Sequence, residues 1–391
     1  MFESFKKRDL YKWVVLAISF LLMLVFSISL QALPPIFKNI IEDIPFSNRQ
    51  AGLLMSSYSI LGIFIPFFVA LLLRKFDLKR ILIISLLAVI IGLIGFSLSP
   101  SYSLLLFNRL LSGAGTAVLI VLSPLLVTMV FDDRTLGTAM GIFNMGVPLG
   151  TVLAANLFGY LGLLLSWNTI IIGVACFTIL VLLLVWFLLD LPQKEKEDTS
   201  PSKIKLNLGL SLWLLGVIWM IANGQQLAYT TFAPQFFQLS GFSIQKSSLL
   251  TSMIMLISIF LAPALGILID KTNKIKPFIL IGSIIIIIGF YLLTTSLISL
   301  TLCAILLGIG FSFIPVSIFS LLPKVVKPEE TGMGLASITA TSCLGITLGP
   351  VGFGTLLDLT EENFSIGFIL LSIFSFISIL TLMKIKPKDN Q

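Results

Sequence analysis

Twelve apolar runs recur along this 391-residue chain, most of them close to the roughly 20 residues that a helix needs to cross about 30 Å of hydrocarbon. They are Trp13–Pro35, Gln50–Leu73, Ile81–Leu98, Tyr102–Phe131, Thr135–Leu161, Asn168–Leu189, Gly209–Ala233, Ser247–Ile269, Phe278–Thr295, Ser299–Pro323, Gly332–Leu357 and Phe364–Met383. Each reads as a membrane-spanning helix, so the sequence predicts an all-α polytopic membrane protein of twelve transmembrane helices. Composition agrees: 57% of residues are apolar and 11% charged, against about 25% charged in a soluble domain.

Basic residues in short loops stay cytoplasmic, and their distribution sets the orientation. With the N-terminus inside, 21 of the 25 Lys and Arg residues fall in cytoplasmic segments. Lys38, Arg49 and Lys246 fall outside, and Arg109 lies inside a span. The expected location is the cell (inner or plasma) membrane with both termini cytoplasmic. The +7 net charge is scattered over successive loops instead of forming one basic face, which argues against a nucleic-acid partner. The first run is too long for a signal peptide and lacks a small-residue cleavage site, so it reads as a retained helix.

The only long polar stretch is Asp190 to Leu208, with Pro192, Lys194, Glu195, Lys196, Glu197 and Asp198, a cytoplasmic linker in character. It separates two six-helix bundles, 1–189 and 209–391. The two halves align: Ser47-Asn-Arg-Gln-Ala-Gly-Leu53-Leu54 matches Ser243-Ile-Gln-Lys-Ser-Ser-Leu249-Leu250, Gly113-Ala-Gly115 matches Gly308-Ile-Gly310, and Gly137 matches Gly332. Ser47 and Ser243 both suit a helix N-cap. Duplicated bundles mark secondary transporters, with the substrate near the midplane.

Several motifs resemble the major facilitator superfamily over nearly the whole chain. Gly266-Ile-Leu268-Ile-Asp270-Lys271-Thr-Asn-Lys274 is similar to that family's inner-loop signature. Its partner in the first half, Ala70-Leu-Leu-Leu-Arg74-Lys75-Phe-Asp77, departs from it, with Ala for Gly and Arg74 for Asp. Arg109-Leu-Leu-Ser-Gly113-Ala-Gly115 resembles the family's span-4 pattern. Gly146-Val-Pro148-Leu-Gly150 and Gly345-Ile-Thr-Leu-Gly349-Pro350 resemble Gly-Pro strings of exporters, and Gly141-Ile-Phe-Asn144-Met-Gly146 resembles the span-5 pattern of organic-anion and nitrate-type facilitators. The resemblance implies alternating access by rocking of two halves about a central site.

Arg109 is the one charge well inside a span, about 10 Å from its outer end, and all eighteen Asp and Glu residues lie in loops, tails or at helix ends. A guanidinium there must be compensated, by backbone carbonyls or by an anionic substrate held in its fork. The repeat places Ala304 at the equivalent position, so the fold as such does not demand a charge. Ser27 and Gln31 share a face of the first span, and Asn223, Gln226 and Thr230 share one of the seventh, with Tyr229 beside them. With Asn144 and Arg109 these are the candidate substrate residues. An inner latch is expected from Arg74 with Glu329 or Glu330 and from Arg134 with Asp270, the alternative for the glutamates being that they only complement a helix dipole.

No Gly-x-x-x-x-Gly-Lys-Ser/Thr string exists, and no nucleophile, base and metal set is visible. The chain has no His, and Cys176, Cys303 and Cys343 lie far apart, so neither cofactor nor metal is expected. The expected function is secondary transport of a small, anionic molecule by a monomer in the lipid bilayer. Proton-coupled drug efflux is the alternative, and a channel or sensor is the alternative of another class.

Overall fold

A computed structural model describes residues 2–190, 209–272, 274–295, 297–327 and 330–385. Glu329 and linker residues 191–208 lie outside the described residues, as do the side chains of Arg74 and Arg134. The described regular elements are helical. In chain order they are α1 (Phe2–Gln31), a 3₁₀ turn (Pro34–Ile36), α2 (Phe37–Asp43), α3 (Asn48–Ser57), a 3₁₀ turn (Ile60–Ile63) and α4 (Ile65–Lys75). There follow α5 (Leu78–Ser97), α6 (Tyr102–Val130), α7 (Asp133–Asn144), α8 (Gly146–Leu153), a π turn (Ala154–Phe158), α9 (Gly159–Leu161) and α10 (Trp167–Leu188). The second half has one helix per span: α11 (Leu210–Leu239), α12 (Ile244–Thr272), α13 (Lys276–Leu293), α14 (Leu300–Val325), α15 (Thr331–Leu359) and α16 (Phe364–Lys384).

Eleven stretches among the described residues are long and apolar enough to cross a membrane. The twelfth expected span, Gln50–Leu73, is not one helix: α3 and α4 are separated by the turn at Ile60–Ile63. Pro66 near the start of α4 has no N–H for the carbonyl of Gly62, so the helical ladder fails there. The fifth span is also broken, at Met145 before Gly146-Val-Pro148 and again in the π turn. The first ends at Gln31, short of the expected Pro35. Pro124, Pro234, Pro263, Pro315 and Pro350 sit inside helices that continue through them. Within a membrane span neighbouring groups re-satisfy what a proline frees, so the sequence does not say which proline breaks a helix.

The chain divides into two compact units. One holds Met1–Pro45 and Phe64–Glu197, the other Phe46–Ile63 and Asp198–Gln391. Thus α3, a segment of the first half by sequence, belongs to the second unit.

In the first unit, Leu16, Met23, Val127, Phe131, Ala139 and Phe143 form a buried cluster joining α1, α6 and α7. The α5–α6 contact rests on small residues: a Cβ on Gly115 would strike the main chain of Ser85, and one on Gly92 would strike Ser112. Trp167 donates Nε1–H to Asp43 at 2.7 Å, and Asn39 donates to the carbonyl of Gly162 at 2.9 Å, which ties α2 to the two ends of the α9–α10 loop. The Tyr11 hydroxyl donates to the Asp190 carbonyl at 2.6 Å and accepts the Asp190 N–H at 2.7 Å.

The second unit repeats the glycine device at the same places in its sequence, Gly310 against Gly282 and Gly289 against Leu307, joining α13 to α14. Its core is aromatic: Phe368 packs against Phe236, Phe290, Phe353 and Phe364 at centroid distances of 4.9 to 6.3 Å. Phe187, Phe260 and Met383 stand exposed, as apolar side chains facing lipid do.

Candidate substrate-binding site

The arrangement around Arg109 starts from two prolines. In a continuing helix the N–H of residue 34 would bond the carbonyl of Leu30, but Pro34 has none. The main-chain oxygens of Ser29 and Leu30 are left at a helix end inside the membrane, where an orphan carbonyl costs several kcal/mol. Arg109 on α6 is 2% exposed, and it donates from Nη1 to the Ser29 oxygen and from Nη2 to the Leu30 oxygen, both at 2.6 Å. The cation also sits at the negative end of the α1 dipole. Of the two compensations open to a buried guanidinium, its terminal nitrogens make the one to backbone carbonyls. The repeat gives the reason for the asymmetry with Ala304. At the same offset of about 195 residues, Pro34-Pro35 corresponds to Tyr229-Thr230, where α11 runs on unbroken to Leu239. Its carbonyls need no external donor, and Ala304 is fully buried.

The other candidates of the first unit sit close by in sequence but differ in setting. Ser27 is buried and donates to the carbonyl of Met23 at 3.0 Å, with the Gly146 carbonyl at 3.5 Å. A Cβ on Gly150 would collide with its hydroxyl, so Ser27 sits in the α1–α8 contact. Gln31 is 6% exposed, at the end of α1. Asn144 is exposed at the break between α7 and α8. Ser29, unmarked in the sequence reading, carries a buried hydroxyl with no hydrogen-bond partner.

In the second unit α11 presents four distinct faces. Gly216 meets Thr341, and Gly224 meets the main chain of Gly345, both on α15. Gln225 points at α16, donating to the Leu371 carbonyl at 2.5 Å and the Ser375 hydroxyl at 2.8 Å. Tyr229 is fully buried, its hydroxyl 3.5 Å from the Leu250 carbonyl and its ring edge-on to Phe290. The remaining stripe holds Trp219, Asn223, Gln226 and Thr230. Thr230 is buried and donates to the Leu227 carbonyl. Asn223 and Gln226 are half-buried, with amide donors on the Trp219 carbonyl at 2.8 Å and the Met255 sulfur at 3.2 Å. They lie about 20 to 24 Å along a helix of some 45 Å, at mid-membrane depth. Sequence reasoning missed Trp219, whose ring is edge-on to Phe319 at 5.6 Å. It also missed Gln225; the signal for both was helical spacing from Asn223 and Gln226.

Of the expected inner latch, Asp270 is exposed at the end of α12. Glu330 stands at the start of α15, its carboxylate 3.3 Å from the Lys327 N–H, which it accepts.

A family model described as "Major Facilitator Superfamily" matches residues 15–350 and 241–391. The chain belongs to the major facilitator superfamily. It is therefore a transporter and not an enzyme, built on the multi-pass helical fold of that family. Among its relatives is a probable nitrate transporter, NarT, of Staphylococcus epidermidis, 23% identical over 91% of this chain and 92% of that protein. The human lysosomal dipeptide transporter MFSD1 is 25% identical over 87% of this chain and 77% of its own. The purine ribonucleoside efflux pump NepI of Escherichia coli is 24% identical over 79% of each chain. Among solved structures, the nucleoside transporter NupG superposes with a TM-score of 0.77 at 16% identity, covering 96% of this chain and 98% of that one. A bacterial homologue of the lysosomal transporter Spinster gives 0.76 at 16%, covering 97% and 99%. At these identities the structures speak for the fold alone.

Proposed function

We propose that this superfamily member carries a small anionic solute across the cytoplasmic membrane, by exchange or uniport. The observation that supports the reading is the sign of the charge in the spans. The eighteen acids are confined to loops, tails and helix ends, while Arg109 is buried in α6 with neutral carbonyls on its terminal nitrogens. A guanidinium held within a span favours an anion near it over a cation. In this reading Arg109 acts through its field, and the contacts come from shorter groups, Gln31 and the unpartnered hydroxyl of Ser29. The nitrate-transporter relative is compatible with it.

A second reading, an uncharged polar solute such as a nucleoside or a dipeptide, is favoured by the half-buried carboxamides of Asn223 and Gln226 beside the Trp219 ring. The two separate in a thermal-shift screen of the purified protein with nitrate, small carboxylates, adenosine and alanyl-alanine, because a ligand of the folded state raises Tm with its concentration. Stabilisation by an anion and not by adenosine or the dipeptide supports the first reading. The reverse pattern replaces it with the second.

A further inference from the structure

Two consecutive glutamines of α11 hold their amide donors in opposite ways. Gln225 is 3% exposed, and its amide is committed to two oxygen acceptors of α16, the Leu371 carbonyl at 2.5 Å and the Ser375 hydroxyl at 2.8 Å. Gln226 is half-buried and donates to the sulfur of Met255 on α12, at 3.2 Å. A thioether is a weak acceptor, so this bond is worth less than one to an oxygen. Asn223, on the same stripe, donates to the Trp219 carbonyl at 2.8 Å, an oxygen that the helical ladder of α11 already engages. Both donors of the stripe therefore rest on acceptors that are cheap to leave.

The repeat bears on both members of the pair. At the offset that relates Pro34-Pro35 to Tyr229-Thr230, Gln226 corresponds to Gln31 and Met255 to Ile60. Each half carries a glutamine at this position, whereas the sulfur beside it is particular to the second, so the fold as such does not demand Met255. Met255 is half-buried as well and lies about 17 Å from the start of α12, at the depth of Gln226.

We propose that Met255 is a positioning residue for the solute: in its absence the sulfur holds the Gln226 amide, and an oxygen or ring nitrogen of the solute takes that donor over. The inference rests on the second reading above, in which the α11 stripe meets the solute, and it adds what sets the affinity there. A stronger acceptor than sulfur at residue 255 would keep the donor, and a residue with no acceptor would give it up more readily. A solute that offers no acceptor leaves Gln226 on Met255 and is discriminated against. If Met255 only filled space, as methionines in cores do, its effect on affinity would be indifferent to residue 226.

The test uses the full-length protein with Met255→Leu and with Met255→Gln, each with Gln226 kept and with Gln226→Leu. Leu nearly conserves the volume of Met, a swap that cores tolerate. Adenosine, with its ring nitrogens, and alanyl-alanine, with its peptide carbonyl, are titrated in parallel, and affinity is read from the rise of Tm with concentration. With Gln226 kept, Kd for the probe that the stripe takes should be about threefold lower in Met255→Leu than in the parent, the scale of one weak bond. In Met255→Gln it should be about threefold higher. With Gln226→Leu both differences should vanish. Affinities that shift alike in the two backgrounds, or against the order of acceptor strength, overturn the inference. A second readout needs no solute: Met255→Gln should melt about 1 °C above Met255→Leu when Gln226 is kept, the scale of one interhelical bond, and not when it is Leu. If neither probe raises the Tm of the parent, the second reading fails by itself, and the solute-free comparison decides the inference. An equal Tm difference in both backgrounds then overturns it.

Discussion

Arg109 donates Nη2–H to the main-chain oxygen of Leu30 at 2.6 Å, and so supplies the bond that Pro34, lacking an N–H, does not make. The charge on α6 and the proline pair after α1 are two halves of one solution to ending a helix inside a membrane. Removing the guanidinium with Arg109→Gln should cost the ligand-free protein about 2 to 4 kcal/mol, the range for breaking charge-assisted bonds to buried partners. Pro34→Ala returns an N–H to the Leu30 oxygen. The same Arg109→Gln change should therefore cost measurably less in a Pro34→Ala background, as a double-mutant cycle of Tm or denaturant midpoints would show. Additive losses would mean that the proline and the arginine are unrelated.

The glycines of α15 offer a control within a single helix. A Cβ on Gly349 would meet the Gly224 main chain and one on Gly345 the Met220 main chain, whereas Gly352 has open space around the same position. Gly349→Ala and Gly345→Ala should lower Tm and folded yield, as overpacking does, while Gly352→Ala should be near neutral. Equal behaviour of the three would contradict the tight α11–α15 contact.

The Gln225 side chain ties α11 to α16 through Leu371 and Ser375, one position away from Gln226 on the half-buried stripe. Gln225→Leu should destabilise the protein by about 1 kcal/mol, the usual scale of interhelical bonds in membranes, and leave substrate affinity alone. Under the reading of an uncharged polar solute, Gln226→Leu should do the opposite, weakening binding with little effect on Tm. Measuring both quantities on both variants checks the division of labour.

Most of the architecture was legible because the constraint behind it is severe. A chain in lipid satisfies its backbone by helices, so span number and approximate ends follow from apolar length, and the Ser47 cap follows from its position before Gln50. What escaped was decided by partners distant in sequence. Pro34 follows the end of α1 and Pro66 opens α4, while Pro124 and Pro350 lie inside helices that continue through them, a difference that depends on which neighbours re-satisfy the freed carbonyls. Arg109 stood out as the one deep charge, but its partners are carbonyls of α1, and main-chain atoms leave no mark in a residue pattern. The assignment of α3 to the second unit was likewise hidden, since Asp358, which accepts the Asn48 N–H at 3.0 Å, lies 310 positions from it.

Energetics follow from the same inventory of charges. With no His, and with Asp and Glu kept out of the span interiors, the membrane interior offers no group that titrates readily, and Arg does not lose its proton in a protein. Exchange of internal for external substrate in proteoliposomes should persist when a protonophore collapses the pH gradient. Uphill accumulation of a permanently charged substrate, driven by an imposed pH gradient in the absence of sodium, would contradict this and direct attention to Asp190, Asp270 and Asp358.

The central claim, a carrier that takes a small anion through alternating states, is tested most directly by counterflow. Proteoliposomes loaded with unlabelled anion from the thermal-shift screen, nitrate being the first choice, are diluted into a trace of the labelled form. The account predicts transient accumulation of label above its external concentration, absent from liposomes loaded with adenosine and abolished by competing external anion. Label that merely equilibrates, at a rate independent of what is inside, would contradict it.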